Sequence, residues 1–151
     1  MDKTQLAEFV RNLDNELTVS EGKQFTEVAV PAAKLHSLAL KLKEHQDTLF
    51  DFLACLSGVD YKQDLGVVYH LRSTVHGHTL VLKVRTSDRV DPNFDTVSDI
   101  WRTAEFHERE VYDLLGIKFN NHPDLRRLFL DKTWGFPLRK DYVDDANIVT
   151  K

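Results

Sequence analysis

The sequence predicts an α+β domain, with a mostly antiparallel or mixed sheet, helices on one of its faces, and an extended C-terminal tail. Three observations carry that expectation. Residues 67–74 and 79–86 alternate apolar and polar side chains around Val75-His76-Gly77-His78, the pattern of two strands joined in a hairpin. Three other stretches repeat apolar residues at helical spacing: Leu6, Phe9, Val10, Leu13; Leu35, Leu38, Ala39, Leu42; and Ala104, Val111, Leu114, Leu115. From about residue 131 neither period holds, and Gly135 and Pro137 oppose both helix and central strand. The division expected is a core domain over 1–130 and a partner-binding tail over 131–151.

Taken in order, a first helix is expected over 4–14. Two short strands, 17–19 and 25–30, flank Glu21-Gly22-Lys23 as a turn. Pro31 suits the opening of a second helix, and Lys41, Lys43 and His45 carry the charge sign that a helix C-terminus favours. Residues 49–59 read as a buried strand, with a helical turn or helix open for the first half. Residues 60–66 read as a polar loop, and Asp91-Pro92-Asn93-Phe94 as a break in regular structure. The helix that follows has a clear stop, because Gly116 stands where a left-handed C-terminal cap belongs.

The chain has 151 residues, 42% of them hydrophobic and 29% charged, which is the composition of a folded globular chain. A net charge of −4 opposes general nucleic-acid binding, which needs a basic surface. Cys55 is the one cysteine, so the chain cannot build an intrachain disulfide, an iron–sulfur cluster or a cysteine-rich zinc site by itself. Within Leu53-Ala54-Cys55-Leu56 it reads as a small buried hydrophobe. No stretch approaches the roughly 20 apolar residues of a membrane-spanning helix. The first residues lack a signal-peptide profile, and an intracellular protein is expected.

Few residues suggest chemistry. His70, His76 and His78 form an incomplete ligand set for zinc, and turn histidines of this kind are expected at the surface. Glu108 and Glu110, two positions apart on a helix, point in different directions and do not make an acid–base pair. Glu105, Arg109 and Asp113 lie four apart and can ladder their charges, at about 0.3–0.5 kcal/mol per exposed pair. Phosphate-binding loops and nucleophile elbows are absent from the sequence. No catalytic, cofactor-binding or metal-binding residue is therefore expected in this chain. The basic pairs Arg126-Arg127 and Arg139-Lys140 instead sit on irregular segments beside Trp134, Phe136 and Tyr142, and aromatics and arginine are enriched at protein interfaces.

The run Glu108-Arg109-Glu110, Asp113, Gly116-Ile117, Phe119, His122-Pro123-Asp124-Leu125-Arg126-Arg127 and Pro137-Leu138-Arg139-Lys140-Asp141-Tyr142 closely resembles the signature of one family. That family is the 30 kDa subunit of respiratory complex I, the C-type subunit of NADH-quinone oxidoreductase. The tight part of the resemblance covers residues 101–142. Phe136 departs from it, standing where the family usually has histidine before Pro-Leu-Arg-Lys-Asp.

The resemblance implies a non-catalytic subunit of the peripheral arm, placed against the quinone-site (D-type) subunit on the cytoplasmic side of a bacterial inner membrane. FMN, iron–sulfur clusters and quinone would then belong to partner subunits. Glu108, Arg109, Glu110, Asp113, His122, Asp124, Arg126, Arg127, Trp134, Phe136, Arg139, Lys140, Asp141 and Tyr142 would form the partner interface. Rival readings are the equivalent subunit of a membrane-bound hydrogenase or another quinone reductase, a free-standing nucleic-acid-binding module, and a small metalloenzyme built on the histidines.

Overall fold

Five strands make one twisted sheet in the order β1-β2-β5-β4-β3, and three helices share a single hydrophobic core with it. The computed structural model describes residues 2–126 and 135–139. The strands are β1 (Thr18–Glu21), β2 (Thr26–Ala29), β3 (Phe52–Asp60), β4 (Leu65–Arg72) and β5 (Thr79–Thr86). The helices are α1 (Lys3–Leu13), α2 (Leu35–Glu44) and α3 (Ala104–Leu115). The α+β expectation holds.

Each predicted helix forms where its apolar period lies. Asp2 caps α1, accepting from the Gln5 N–H at 2.8 Å while the Gln5 side chain reaches back to the Asp2 N–H, and Leu6, Ala7 and Val10 are buried. Pro31 precedes a short 3-10 turn, Ala32–Lys34, which leads into α2 with Leu35, Leu38, Ala39 and Leu42 buried. Helix α3 ends at Gly116 in the left-handed region, φ 76°, and its N–H donates to the Tyr112 carbonyl at 2.9 Å.

The sheet is mixed because of how the chain returns. After β2 it crosses through α2 to the far edge, lays down β3, and comes back by two hairpins to the centre. Strand β5 then runs parallel to β2, while the other three pairings are antiparallel. Leu65, Val67, Tyr69 and Leu71 on β4 face inward together with Leu80, Leu82 and Val84 on β5, and all seven are buried. Helix α3 lies directly on β3: a Cβ at Gly58 would come within 2.8 Å of the Val111 side chain.

Three expectations need correction. The segment around Asp91-Pro92-Asn93-Phe94 is not simply a break, because β6 (Asn93–Asp95) pairs in parallel with β7 (Lys118–Asn120) on the two sides of α3. Cys55 is half-buried and not a core hydrophobe. A bulge between Leu53 and Cys55 shifts the register, so that Cys55 stands opposite His70 while Leu56 faces inward opposite Tyr69. His78 is buried and not a surface residue, because its Nε2 bonds the Thr48 carbonyl at 2.7 Å and its ring stacks on His76.

Candidate partner-docking site

Glu108 lies inside the fold. It is 0% exposed, and its carboxylate accepts hydrogen bonds from the Thr96 hydroxyl and, at 3.0 Å, from the Val97 N–H. Both donors belong to the loop between β6 and α3, so the side chain ties that loop to the first half of the helix. On its other side stands His122, with Nε2 at 3.8 Å from a Glu108 oxygen and at 2.9 Å from the Glu105 carbonyl. His122 Nδ1 accepts from the Asp124 N–H at 2.9 Å, which leaves Nε2 as the protonated nitrogen of the neutral ring and the donor to Glu105. The imidazole is therefore a turn anchor, in keeping with its place before Pro123.

Burial pushes the Glu108 carboxyl up to about 7; the hydrogen bonds from Thr96 and Val97 pull the other way, and the Asp99 charge adds to the rise. The buried Tyr69 hydroxyl has no hydrogen-bond partner among the described residues. Burial, with the Glu108 charge, holds its phenol well above the ordinary range. These groups act on the local fold. What they do is fix the start of α3, the loop before it and the turn after β7 as one unit.

The rest of the helix signature divides between inside and outside. Asp113 is 0% exposed, and the Arg109 Nε is buried without a hydrogen-bond acceptor among the described residues, so this side of α3 is not a solvated ladder. Glu110 is half-buried and points along a different side, toward β3. Arg126 and Asp124 form an ion pair at 3.1 Å that is largely open to solvent, of a kind that contributes under about 1 kcal/mol.

Residues 135–139 of the expected tail lie against the C-terminal end of α3. The Leu138 N–H donates to the Leu114 carbonyl at 3.0 Å, and Arg139 Nε donates to the Leu115 carbonyl at 2.6 Å. Two of the helix's last carbonyls are thus satisfied, one of them by a cation at the negative end of the helix. Arg139 Nη1 also donates to the Arg89 carbonyl at 3.0 Å, and Arg89 holds the buried Asp60 carboxylate with two bonds, 2.8 and 2.9 Å.

Phe136 covers Gly116 so closely that a Cβ there would sit 2.7 Å from its ring, and its ring centre is 6.1 Å from that of Tyr112. The phenyl ring of Phe136 thus serves as a packing lid over the helix cap. The structure brings Glu108 and His122 together around the start of α3, and Phe136 and Arg139 together at its end. Arg127, Trp134, Lys140, Asp141 and Tyr142 lie outside the described residues.

Thr96, Asp60 and Arg89 carry no signal of their own in the sequence. Each is an ordinary polar residue in a loop or at a strand end, and only the fold shows what it holds. The histidines divide as well. His76 and His78 hold the β4–β5 turn to the Gln46 and Thr48 carbonyls, at 2.8 and 2.7 Å, while the His70 ring lies edge-on to Phe25.

The domain is thus an α+β fold in which Glu108 holds the loop before α3 and residues 135–139 cap the end of that helix. The chain belongs to the family of the respiratory-chain NADH dehydrogenase 30 Kd subunit, which it matches over residues 28–147. It is 50% identical over 122 residues to the C/D subunit of NADH-quinone oxidoreductase from Phocaeicola vulgatus, covering 80% of this chain and 23% of that protein. With the C-type subunit of the same enzyme from Chlorobium phaeobacteroides it shares 48% over 109 residues, 70% of this chain and 65% of the other. With the C-type subunit from Moorella thermoacetica the identity is 40% over 136 residues, 88% of this chain and 90% of the other. The chain spans about a quarter of the length of the C/D relatives.

The fold is also that of a chain in the membrane-bound sulfane sulfur reductase, an archaeal respiratory membrane complex. The TM-score is 0.80 at 24% identity, covering 95% of this chain and 86% of that one. Among the described residues no helix is long and apolar enough to cross a membrane.

Proposed function

We propose that this chain is the C-type subunit in the peripheral arm of a proton-translocating NADH:quinone oxidoreductase, with no active site of its own, and that it braces the quinone-site (D-type) subunit. The observation that carries the reading is its 40% identity to a C-type relative over nearly the full length of both chains. The C/D relatives support the choice of partner, since their names place both subunits on one polypeptide. Electrons pass from NADH to quinone through FMN and iron–sulfur clusters held by neighbouring subunits. The complex sits at the inner membrane, with this chain on the cytoplasmic side.

The physical role is mechanical. The Glu108 unit and the Arg139 cap hold the two ends of α3, so the helix and the corner it supports meet the partner in a fixed geometry, with little ordering cost on assembly. The sulfane sulfur reductase chain shows the same fold in a different respiratory complex, which supplies a second reading, in which the partner complex is another membrane-bound reductase.

Tagging the chain and identifying what co-purifies from gently solubilised membranes decides between them. Recovery of NADH:quinone oxidoreductase subunits with NADH-dependent quinone reduction is the expected result. Recovery of hydrogenase or sulfur-reductase subunits supports the second reading. A chain recovered alone, with affinity for nucleic acid that falls steeply with salt, rejects both.

A further inference from the structure

Beside the C-terminal half of α3 a small groove of about 210 Å³ opens onto the edge strand β3. It is lined by Ser57, Gly58, Glu110, Val111, Leu114 and Leu138, among others. The glycine deepens it, because β3 offers no side chain at that position. Leu138 is 51% exposed, yet its backbone is fixed by the Leu114 carbonyl and its neighbour Arg139 is bonded to Leu115 and Arg89. Among the described residues the apolar wall is thus preformed and open.

Among the described residues Glu110 is the one acidic group on this lining, and it has no partner among them. No hydrogen bond or ion pair from the described residues reaches its half-buried carboxylate. A partly desolvated carboxylate beside an apolar cleft favours a cation brought in from outside.

We propose that this groove receives an apolar side chain of the quinone-site subunit, with an arginine or lysine of that subunit pairing with Glu110. The inference rests on the chain being the complex I subunit and assigns the place of contact. Three points select this occupant. The volume is below the roughly 300–1,000 Å³ of small-molecule sites and suits one or two side chains. The unpaired negative charge calls for a basic partner. A second copy docking through the same patch would bring Glu110 toward Glu110, and like charges across an interface oppose association.

The test uses the complex purified from membranes through a tag on this chain. A photo-crosslinking benzoylphenylalanine at Leu138 is expected to capture the quinone-site subunit, and the same group at the exposed Leu40 on α2 is not. Glu110→Lys is expected to lower the amount of chain retained in the complex by at least tenfold, and Glu110→Gln by less. The thermal midpoint of the isolated Glu110→Lys chain should stay at the wild-type value, which separates docking from folding.

Crosslinking at Leu138 to a second copy or to a different subunit, no crosslink at all, or wild-type retention of Glu110→Lys overturns the groove proposal while leaving the subunit reading intact. A wild-type chain that recovers no NADH:quinone oxidoreductase overturns the subunit reading, and the groove proposal with it.

Discussion

Glu108 and Glu110 are the same residue type, two positions apart on one helix, and the fold uses them in opposite ways. Glu108 points into the core and is consumed by internal bonds to Thr96 and Val97, with His122 against it. Glu110 faces a groove and is bonded to nothing in the described chain. The difference follows from helical geometry: two steps rotate the side chain by about 200°, so one acid enters the core and the other stands near the surface. A signature that reads as one continuous interface is therefore two devices, one holding the fold and one left over for a partner.

The largest expected effect falls on the inward acid. Glu108→Ala leaves the buried Val97 N–H without its acceptor and opens a void, and it should destabilise the isolated chain by about 3–5 kcal/mol in urea unfolding. Glu110→Ala, measured alongside, should change stability by less than about 0.5 kcal/mol.

A second way to sharpen the contrast is pH. The Glu108 carboxyl titrates near 7 in the folded chain and near 4.5 when unfolded, so the folded state binds the extra proton between those values. Its contribution is fully present below about 4.5, is lost as pH rises through 7, and is flat above. At about 1.36 kcal/mol per unit the drop is of order 3 kcal/mol. Glu108→Gln should remove that slope between about pH 5 and 8, and Glu110→Gln should leave it in place. Urea midpoints across the pH series read both.

The helix end should be less sensitive. Gly116→Ala puts a Cβ at φ 76° and against Phe136, and should cost about 1–3 kcal/mol through strain and displaced packing. Arg139→Met removes the donors to Leu115 and Arg89 while keeping length, with an expected loss of about 1–2 kcal/mol. Both are read as shifts in thermal midpoint.

Much of the scaffold was legible because periodicity is a local signal. The apolar repeats placed α1, α2 and α3 within a few residues, and Gly116 marked the end of α3 because a left-handed cap needs no second residue to identify it. The β4–β5 hairpin followed from alternation on both sides of the short link at residues 75–78.

What was not legible depends on partners distant in the chain. Three residues around Phe94 carry no period, and they become a strand only because Phe119 lies beside them. The bulge near Cys55 turns that side chain away from the core by a register shift that composition cannot show. The pairing of Asp60 with Arg89, and the docking of Arg139 against Arg89, join three segments that share no motif. In the site, the residue types were readable from the helix signature, but which acid faces inward needed the neighbours that cover α3.

The most direct test compares the two acids in the same preparations, measuring the urea midpoint of the isolated chain and the fraction of chain retained in the membrane complex. The account predicts that Glu108→Ala lowers the midpoint, with retention falling only as the folded fraction falls, and that Glu110→Lys leaves the midpoint unchanged while retention collapses. A Glu110→Lys chain that unfolds as readily as Glu108→Ala, or that assembles like the wild type, would contradict it.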